Sequence, residues 1–517
     1  MADLRDFTGK NRKFTGTSGI KTSDDGAGTG SRVNEKGRLR FNDDTDLLEY
    51  YNGTDWKAID APPVITSFSI DSPSQSNVTS GYIDAAQAGT FDLSVNGSLF
   101  DTTGASVTLV GSSETLSPDS IVRNSANLLT ATYTASNLDT SNDPYTLKVT
   151  NGSGLSAELV DAISVDQSPV FTNAVDTIYS IFDSVRSSGT IAAADLVGAT
   201  DPDGDTITYT VSAGALPTGC TLASGTGIIT WSSVSAVGSD TTSTFTISAA
   251  TSKATSTRQF KITVKAPVVE SFTSTGAFTF TVPTGLTAVD VLVVAGGGYG
   301  GGGTGGGGGA GGMIDTTGFP VTPGGSVPGS VGPGTSSGNE ISPGNGGNST
   351  FGSLTAIGGG SGGWDNSPSG RAPQPGGSGG GGNGYNARAR GAGTGTQPSQ
   401  PGLSGSAGFG NPGQDFGSPG GGGGGGASSA SSSGNGGAGR ASSISGSPVT
   451  YAGGGGGGGP NSSHTGGSGG GGNGAPEFNG SSSGGPGTNN RGGGGGASWD
   501  HGEPAGGGGT GIVIVKY

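Results

Sequence analysis

"VDVLVVAGGGYGGGGTGGGGGAGG", residues 289–312, begins as a buried strand and then almost abandons side chains. Glycine loses more backbone freedom on folding than any other residue, and Gly/Ser tracts are the usual composition of a flexible linker. Of 113 glycines in 517 residues, roughly 88 lie between Gly296 and Gly511, far too long a stretch for a linker. Its branched aliphatics are few (among them Ile314, Val327, Val331, Leu354, Ile357, Ile444 and Val449), so side-chain burial cannot hold it together.

The two ends of the tract argue that it folds. Phe272 to Val294 contains two strand-like runs around a Pro/Gly turn, and the chain closes on "GIVIVKY", residues 511–517. Alternating β-branched residues at a chain end call for pairing, and the economical partner for Ile512–Val515 is Val291–Val294. Between them glycine-rich bars recur at 296–312, 358–363, 376–384, 420–426, 434–439, 453–459, 466–474, 492–496 and 506–511, separated by Pro, Ser, Asn and scattered aromatics. A nine-residue bar in an extended three-residue helix of polyproline-II type is roughly 28 Å long. Such a helix has no internal hydrogen bonds, so its amides and carbonyls must be satisfied sideways by neighbours that only glycine lets close enough. The expectation is a polyglycine-II bundle in which central bars are nearly pure glycine.

Upstream, the pattern is period-two alternation. "VITSFSI", "GTFDLSVNG", "SVTLVG", "NLLTATYT", "YTLKVTN" and "ELVDAISV" predict an immunoglobulin-like sandwich over residues 62–165, without the Cys pair of antibody domains. A further β domain over 166–266 carries "ATDPDGDTITYTV" and a hairpin, "GALPTGCTLASGTGIITW", whose Gly-Thr-Gly turn leads to Trp231. Asp201, Asp203 and Asp205 put three carboxylates on one turn around Gly204. Calcium takes several such oxygens. The same residues also make a good solvated turn, and the spacing leaves both readings open. Residues 1–61 form the remaining module, a compact β-meander in "GRLRFNDDTDLLEYYNGTDWKAI". The fold class expected is therefore multidomain and mainly β, with a glycine-rich region at 267–517.

Composition excludes several functions. A net charge of −15 argues against nucleic acid as a partner. Residues 1–30 lack an apolar export segment and no span approaches 18 apolar residues, so neither Sec export nor membrane insertion is expected. The single cysteine, Cys220, reads as a packed thiol. Catalysis is not expected, since Asp415, Glu477, Asp500 and Glu503 are scattered over separate loops and His464 and His501 stand apart. No cofactor is required.

Three resemblances sharpen the reading. Leu39 to Phe41, Leu48 to Gly53 and Trp56 resemble a small module common in phage tail fibres, which implies virion attachment through contacts with other tail or baseplate proteins and a homotrimeric fibre; a monomeric hairpin with Tyr50, Tyr51 and Trp56 folded onto their own strands is the alternative. The segments around Asp201 and Trp231 resemble cadherin-like and immunoglobulin-like repeats of bacterial and phage surface proteins, which implies that Asp166 completes a calcium site. Residues 268–517, most specifically Phe278 to Pro283, Asp290 to Gly298, Asn348 to Gly352 and the closing "GIVIVKY", resemble the glycine-rich domain of phage tail proteins and the tip adhesins of T-even-type phages. That implies a virion tail fibre or adhesin binding a bacterial surface glycan or outer-membrane protein; a purely structural virion fibre is the alternative. The chain departs from the tip adhesins in carrying its own N-terminal module and two sandwich domains.

Aromatic and arginine side chains give much contact area for little lost entropy. Those set between the bars are the receptor-binding candidates: Trp364, Arg371, Tyr385, Arg388, Arg390, Phe409, Phe416, Tyr451, Phe478, Trp499 and His501. For any one of them the alternative is capping of a bar end or packing within a loop. Successive bars run up and down, so only loops at the end remote from Val294 and Ile512 are free to meet a receptor.

Overall fold

The computed structural model of the chain describes residues 39–42, 47–51, 53–59, 61–337, 344–364, 370–384, 391–399, 408–415, 420–460, 464–477 and 483–517. The protein is multidomain and mainly β; its only described helices are three-residue 3₁₀ turns. No described helix is long and apolar enough to cross a membrane. The chain forms two compact units, one of residues 1–171 with 199–208 and 249–256, the other of the remaining segments.

In the first unit, Leu39–Asn42, Leu47–Tyr51 and Trp56–Ala58 make the expected antiparallel meander, with the Tyr51 and Trp56 rings 5.4 Å apart. Two five-stranded sheets follow. Ser120–Ser125, Leu128–Thr134, Thr90–Ser98, Val64–Ile70 and Gln75–Val78 face Gly81–Asp84, Ser156–Asp166, Tyr145–Thr150, Ser106–Val110 and Thr115–Leu116. Alternation sends Phe68, Phe91, Leu93, Leu109, Leu129 and Tyr145 into one shared core. Burial leaves the Tyr133 hydroxyl a single place to donate, the Val107 carbonyl at 3.2 Å.

The second unit contains the Gly-Thr-Gly hairpin as read: Cys220–Leu222 pairs with Ile229–Trp231, and the buried Trp231 indole donates to the Ser187 carbonyl at 3.1 Å. Burial pushes the Cys220 thiol up to about 11, so it is a packed and unreactive group at neutral pH.

At the mouth of the glycine region Ile512–Lys516 inserts between Val269–Phe272 and Ala288–Val294, with Val291 opposite Val515 and Val294 opposite Ile512. The clasp joins the anticipated segments. Both faces of the sheet are covered at Val291–Val294 and Ile512–Val515, which is why these two runs are continuously apolar. Val291, Val293, Val513 and Val515 pack with Phe280, Phe319 and Phe351, whereas Leu292, Val294, Ile512 and Ile514 pack with Met313, Ile444 and Tyr451.

Beyond the sheet the glycine bars run side by side. In the bar that returns from Gly305 to Gly312, the amides of Gly306, Gly309 and Gly312 donate to Gly363, Gly360 and Ile357, those of Gly307 and Ala310 to Gly422 and Gly425, and those of Gly308 and Gly311 to Gly495 and Gly492, all at 2.8–3.0 Å. Its carbonyls accept in the same rhythm: 306, 309 and 312 from Gly301, Gly298 and Ala295; 307 and 310 from Gly381 and Ser378; 305 and 308 from Gly458 and Gly455. Every third residue addresses the same neighbour, so the helix has three residues per turn. Three segments are bonded through its donors and three through its acceptors, which surrounds the bar on all sides. From 296 to 312 only Gly303 and Thr304, at the turn, have positive φ (58° and 52°), so the bars have the left-handed twist of polyproline II.

Candidate functional site

The outgoing bar from Val294 reverses at Gly303–Thr304, and this turn marks the end of the bundle remote from the sheet. Several loops converge there. Thr304 donates its amide to the Trp499 carbonyl at 2.6 Å, the Asn383 side-chain amide donates to the Gly303 carbonyl at 2.9 Å, and Gly384 N–H donates to Thr304 at 3.2 Å. Gly302 lies against the Trp364 indole, where a Cβ would come within 2.7 Å of its nitrogen. Trp364 and Arg371 bind each other through both backbone bonds at 3.0 and 2.9 Å.

The candidates separate by end. Trp364, Arg371, Trp499 and His501 lie at the remote end; Arg371 and His501 are exposed, Trp364 is half-buried and Trp499 is buried. Phe409 and Tyr451 do not belong with them. Phe409 pairs with Met313 at the sheet end under the Arg440 guanidinium, 3.8 Å from its ring centre, and Tyr451 is buried among Leu292, Ile444 and Ile512. Both are packing residues, because a bundle resting on a sheet needs apolar surface where polyglycine supplies none. Tyr385, Arg388, Arg390, Phe416 and Phe478 lie outside the described residues.

Side-chain amides at bar ends have a structural part that composition did not reveal. Where a bar runs out, Asn and Gln imitate the missing backbone. Asn345 accepts from Ser361 N–H at 3.0 Å and donates to Pro375 at 2.9 Å, Asn348 accepts from Gly358 at 2.8 Å, and Asn473 accepts from Gly466 at 2.8 Å. Gln397 accepts from Ile357 N–H at 2.8 Å and donates to Thr355 at 3.2 Å. A primary amide carries the same donor and acceptor as a peptide unit, so it finishes the lattice without a further bar. The available signal was the habit of Asn to sit beside a glycine run.

The four aspartates expected to hold calcium have protein partners of their own. Asp201 accepts the amides of Asp203 and Asp205 at 3.1 and 3.0 Å, as an Asx turn does, and Asp203 accepts from Gln167 N–H at 2.5 Å. Lys253 lies between the others, 3.0 Å from Asp205 and 3.4 Å from Asp166. Of the residues named for calcium (Asp166, Asp201, Asp203 and Asp205), Asp166 and Asp205 are ion-paired with Lys253 in this structure. Nowhere among the described residues do three or more His, Cys, Asp or Glu side chains come together in a metal-binding group. Burial pushes the Asp166 carboxyl up to about 6 against the pull of Lys253.

Residues 273–517 match the family described as "Glycine-rich domain", and residues 171–265 match that described as "Putative Ig domain". No curated protein matches the chain. Among solved structures, an I-band fragment of titin is 13% identical, covering 42% of this chain and 78% of its own, with a TM-score of 0.25. The extracellular domain of protocadherin GammaB4 is 19% identical over 43% of this chain and 39% of its own (TM-score 0.21), and a fragment of Drosophila N-cadherin is 15% identical over 44% and 63% (TM-score 0.21). The chain is accordingly a multidomain Ig-like β protein with a glycine-rich C-terminal domain, a combination of adhesin-like or structural-fibre character.

Proposed function

We propose that this chain is a phage virion tail-fibre or adhesin protein that attaches to a bacterial surface glycan or outer-membrane protein through the remote end of its glycine-rich bundle. The observation that carries the reading is the asymmetry of that bundle: one end is closed by sheets, and at the other the loops at 364–371 and 499–504, with the described flanks of the segments after Gly384 and Gly459 and before Gly420, converge around Gly303–Thr304. A lattice bonded mainly through backbone holds loop ends in place whatever the loops contain. The N-terminal meander supplies attachment to other tail or baseplate proteins and a trimeric assembly, and the sandwiches act as spacers. In this reading the protein works in the virion, is not an enzyme, and takes no nucleic acid or membrane as partner.

In the full chain, equal-length Gly/Ser replacement of residues 365–369, 385–390, 416–419, 461–463, 478–482 and 500–503 should abolish binding to host cells while thermal unfolding stays unchanged. Replacing residues 445–448 at the sheet end should leave binding intact. Attachment that survives loss of every remote loop would leave a purely structural virion fibre, a reading favoured by the use of Phe409, Tyr451 and Trp499 in packing.

A further inference from the structure

Asp166 closes the strand Ser156–Asp166 with its side chain completely buried, and its carbonyl is fixed by the Ala85 amide at 2.7 Å. Its carboxylate is paired with an ion: Lys253 Nζ lies 3.4 Å from Asp166 Oδ1 and donates to Asp205 at 3.0 Å. Lys253 sits in the turn between Thr241–Ala250 and Thr255–Val264, its amide donating to the Thr251 hydroxyl at 3.2 Å and its ammonium 5.7 Å from the centre of the Tyr82 ring. Tyr82, Asp166, Asp205 and Lys253 all belong to the first compact unit. In the other described lysine pairs, Lys148–Glu158, Lys261–Asp176 and Lys265–Asp240, the carboxylate is exposed. Here an amine lies within reach of a carboxyl shut away from water, with a second carboxylate hydrogen-bonded to the same nitrogen. That is a reaction geometry as well as an ion pair.

We propose that Lys253 and Asp166 condense to an intramolecular isopeptide bond, with Asp205 carrying the proton, so that an amide staples the end of the strand Ser156–Asp166 to the turn that holds Lys253. One ammonium proton neutralises the Asp166 carboxylate, the freed Nζ lone pair attacks its Cγ, and Asp205 takes a second proton from the nitrogen and returns it to the departing hydroxyl. An N–C bond forms, a C–O bond breaks and one water leaves; nothing is oxidised or reduced. Holding the two groups in contact removes the entropic cost of bringing them together. Burial favours the neutral acid and amine over the ion pair, and it shields the finished amide from hydrolysis. Although burial opposes it, Asp205 and Asp166 together hold the Lys253 ammonium above its ordinary range, so the bond forms slowly after folding and the titrating Asp166 carboxyl belongs to the open form. With a single cysteine, the chain has no internal disulfide to serve as such a staple.

The test is the intact mass of the full chain, denatured after the folded protein has been held near neutral pH until its mass stops changing. Wild type should be lighter than its sequence by one water. Tryptic digestion should give a branched peptide whose fragmentation places the link between Asp166 and Lys253, a signature that a cyclised aspartyl side chain does not produce. Lys253→Arg, which keeps the charge, should retain the full mass. Asp205→Asn, which leaves both reacting groups in place, should form the bond at least about a hundredfold more slowly while its circular dichroism matches wild type. Wild type that keeps its full mass, a water loss without the branched peptide, or a bond that forms as fast in Asp205→Asn overturns the proposal.

Discussion

A Cβ added at Gly308 would lie 2.2 Å from the Gly298 carbonyl oxygen, and at Gly456 it would lie 2.2 Å from that of His464; both obstacles are backbone and cannot swing aside. At Gly344 the nearest atom is a Thr335 methyl at 3.8 Å. Gly308→Ala should therefore separate bars and strand several amides at about 1–3 kcal/mol each, enough to unfold the bundle, while Gly344→Ala should melt within a degree or two of wild type. Equal melting temperatures would refute the close approach. Asp166 offers a second residue-scale test through pH. Its folded carboxyl titrates at about 6 against 3.8 for the ordinary group, so its contribution to stability is fully present below 3.8 and is lost as pH rises through 6. Urea titrations from pH 4 to 7 should show wild type losing ground to Asp166→Asn across that window. Small side chains also mark the limit of the all-glycine expectation: Ala310, Ser361 and Ser378 are completely buried within bars. A methyl or hydroxymethyl group fits where it points between backbones.

At the scale of elements, the strand Ile512–Lys516 is interior to its sheet, with Val269–Phe272 on one side and Ala288–Val294 on the other. Polyglycine segments have no side chains to bury, so nothing local brings bars together before the strands that anchor them have paired. Ending the chain after Gly511 should therefore cost far more than the loss of one short strand. Amide exchange across 296–511, slow in the intact protein, should become fast throughout, and proteolysis should enter the glycine region. Persistent slow exchange in the truncated chain would mean that the lattice nucleates itself. The Asn and Gln side chains belong to this scale too, because each finishes a bar.

Across the whole second unit, Arg186 forms a buried fork, paired with Asp183 and, at 3.0 Å, with Asp290 on the strand that launches the bars. Its carbonyl accepts from Thr287 and Ala288, and nearby Phe182 joins the core of Phe280 and Leu286. The segment around Arg186 and the glycine-rich sheet thus share one interior. Arg186→Ala leaves two largely buried carboxylates without their cation, at a cost of about 3–5 kcal/mol, and should lower the melting temperature of the glycine region itself. An unchanged calorimetric transition would show that the two parts unfold independently. The sharing also decides how binding is to be measured, since a fragment beginning near residue 268 would expose this core.

Period-two alternation and turn residues made the sandwich of residues 64–166, the Trp231 hairpin and the N-terminal meander legible in advance, because a strand's burial is written in its own side chains. The bundle was legible for a different reason: glycine without compensating hydrophobes leaves backbone hydrogen bonding as the one force able to order it, and the apolar strands at its ends had to meet. The sequence by itself therefore determined the kinds of element and the pairing of Val291–Val294 with Ile512–Val515. Only the tertiary structure decided which bar lies at the centre, which amide finishes which bar, that Phe409 and Tyr451 support the sheet end, and that Lys253 stands among the aspartates. Those contacts join residues distant in the chain, and a lattice of identical glycines carries no side-chain information about its neighbours. The order is set by the few positions, such as Asn345, Asn383 and Gln397, where a side chain takes the place of a backbone.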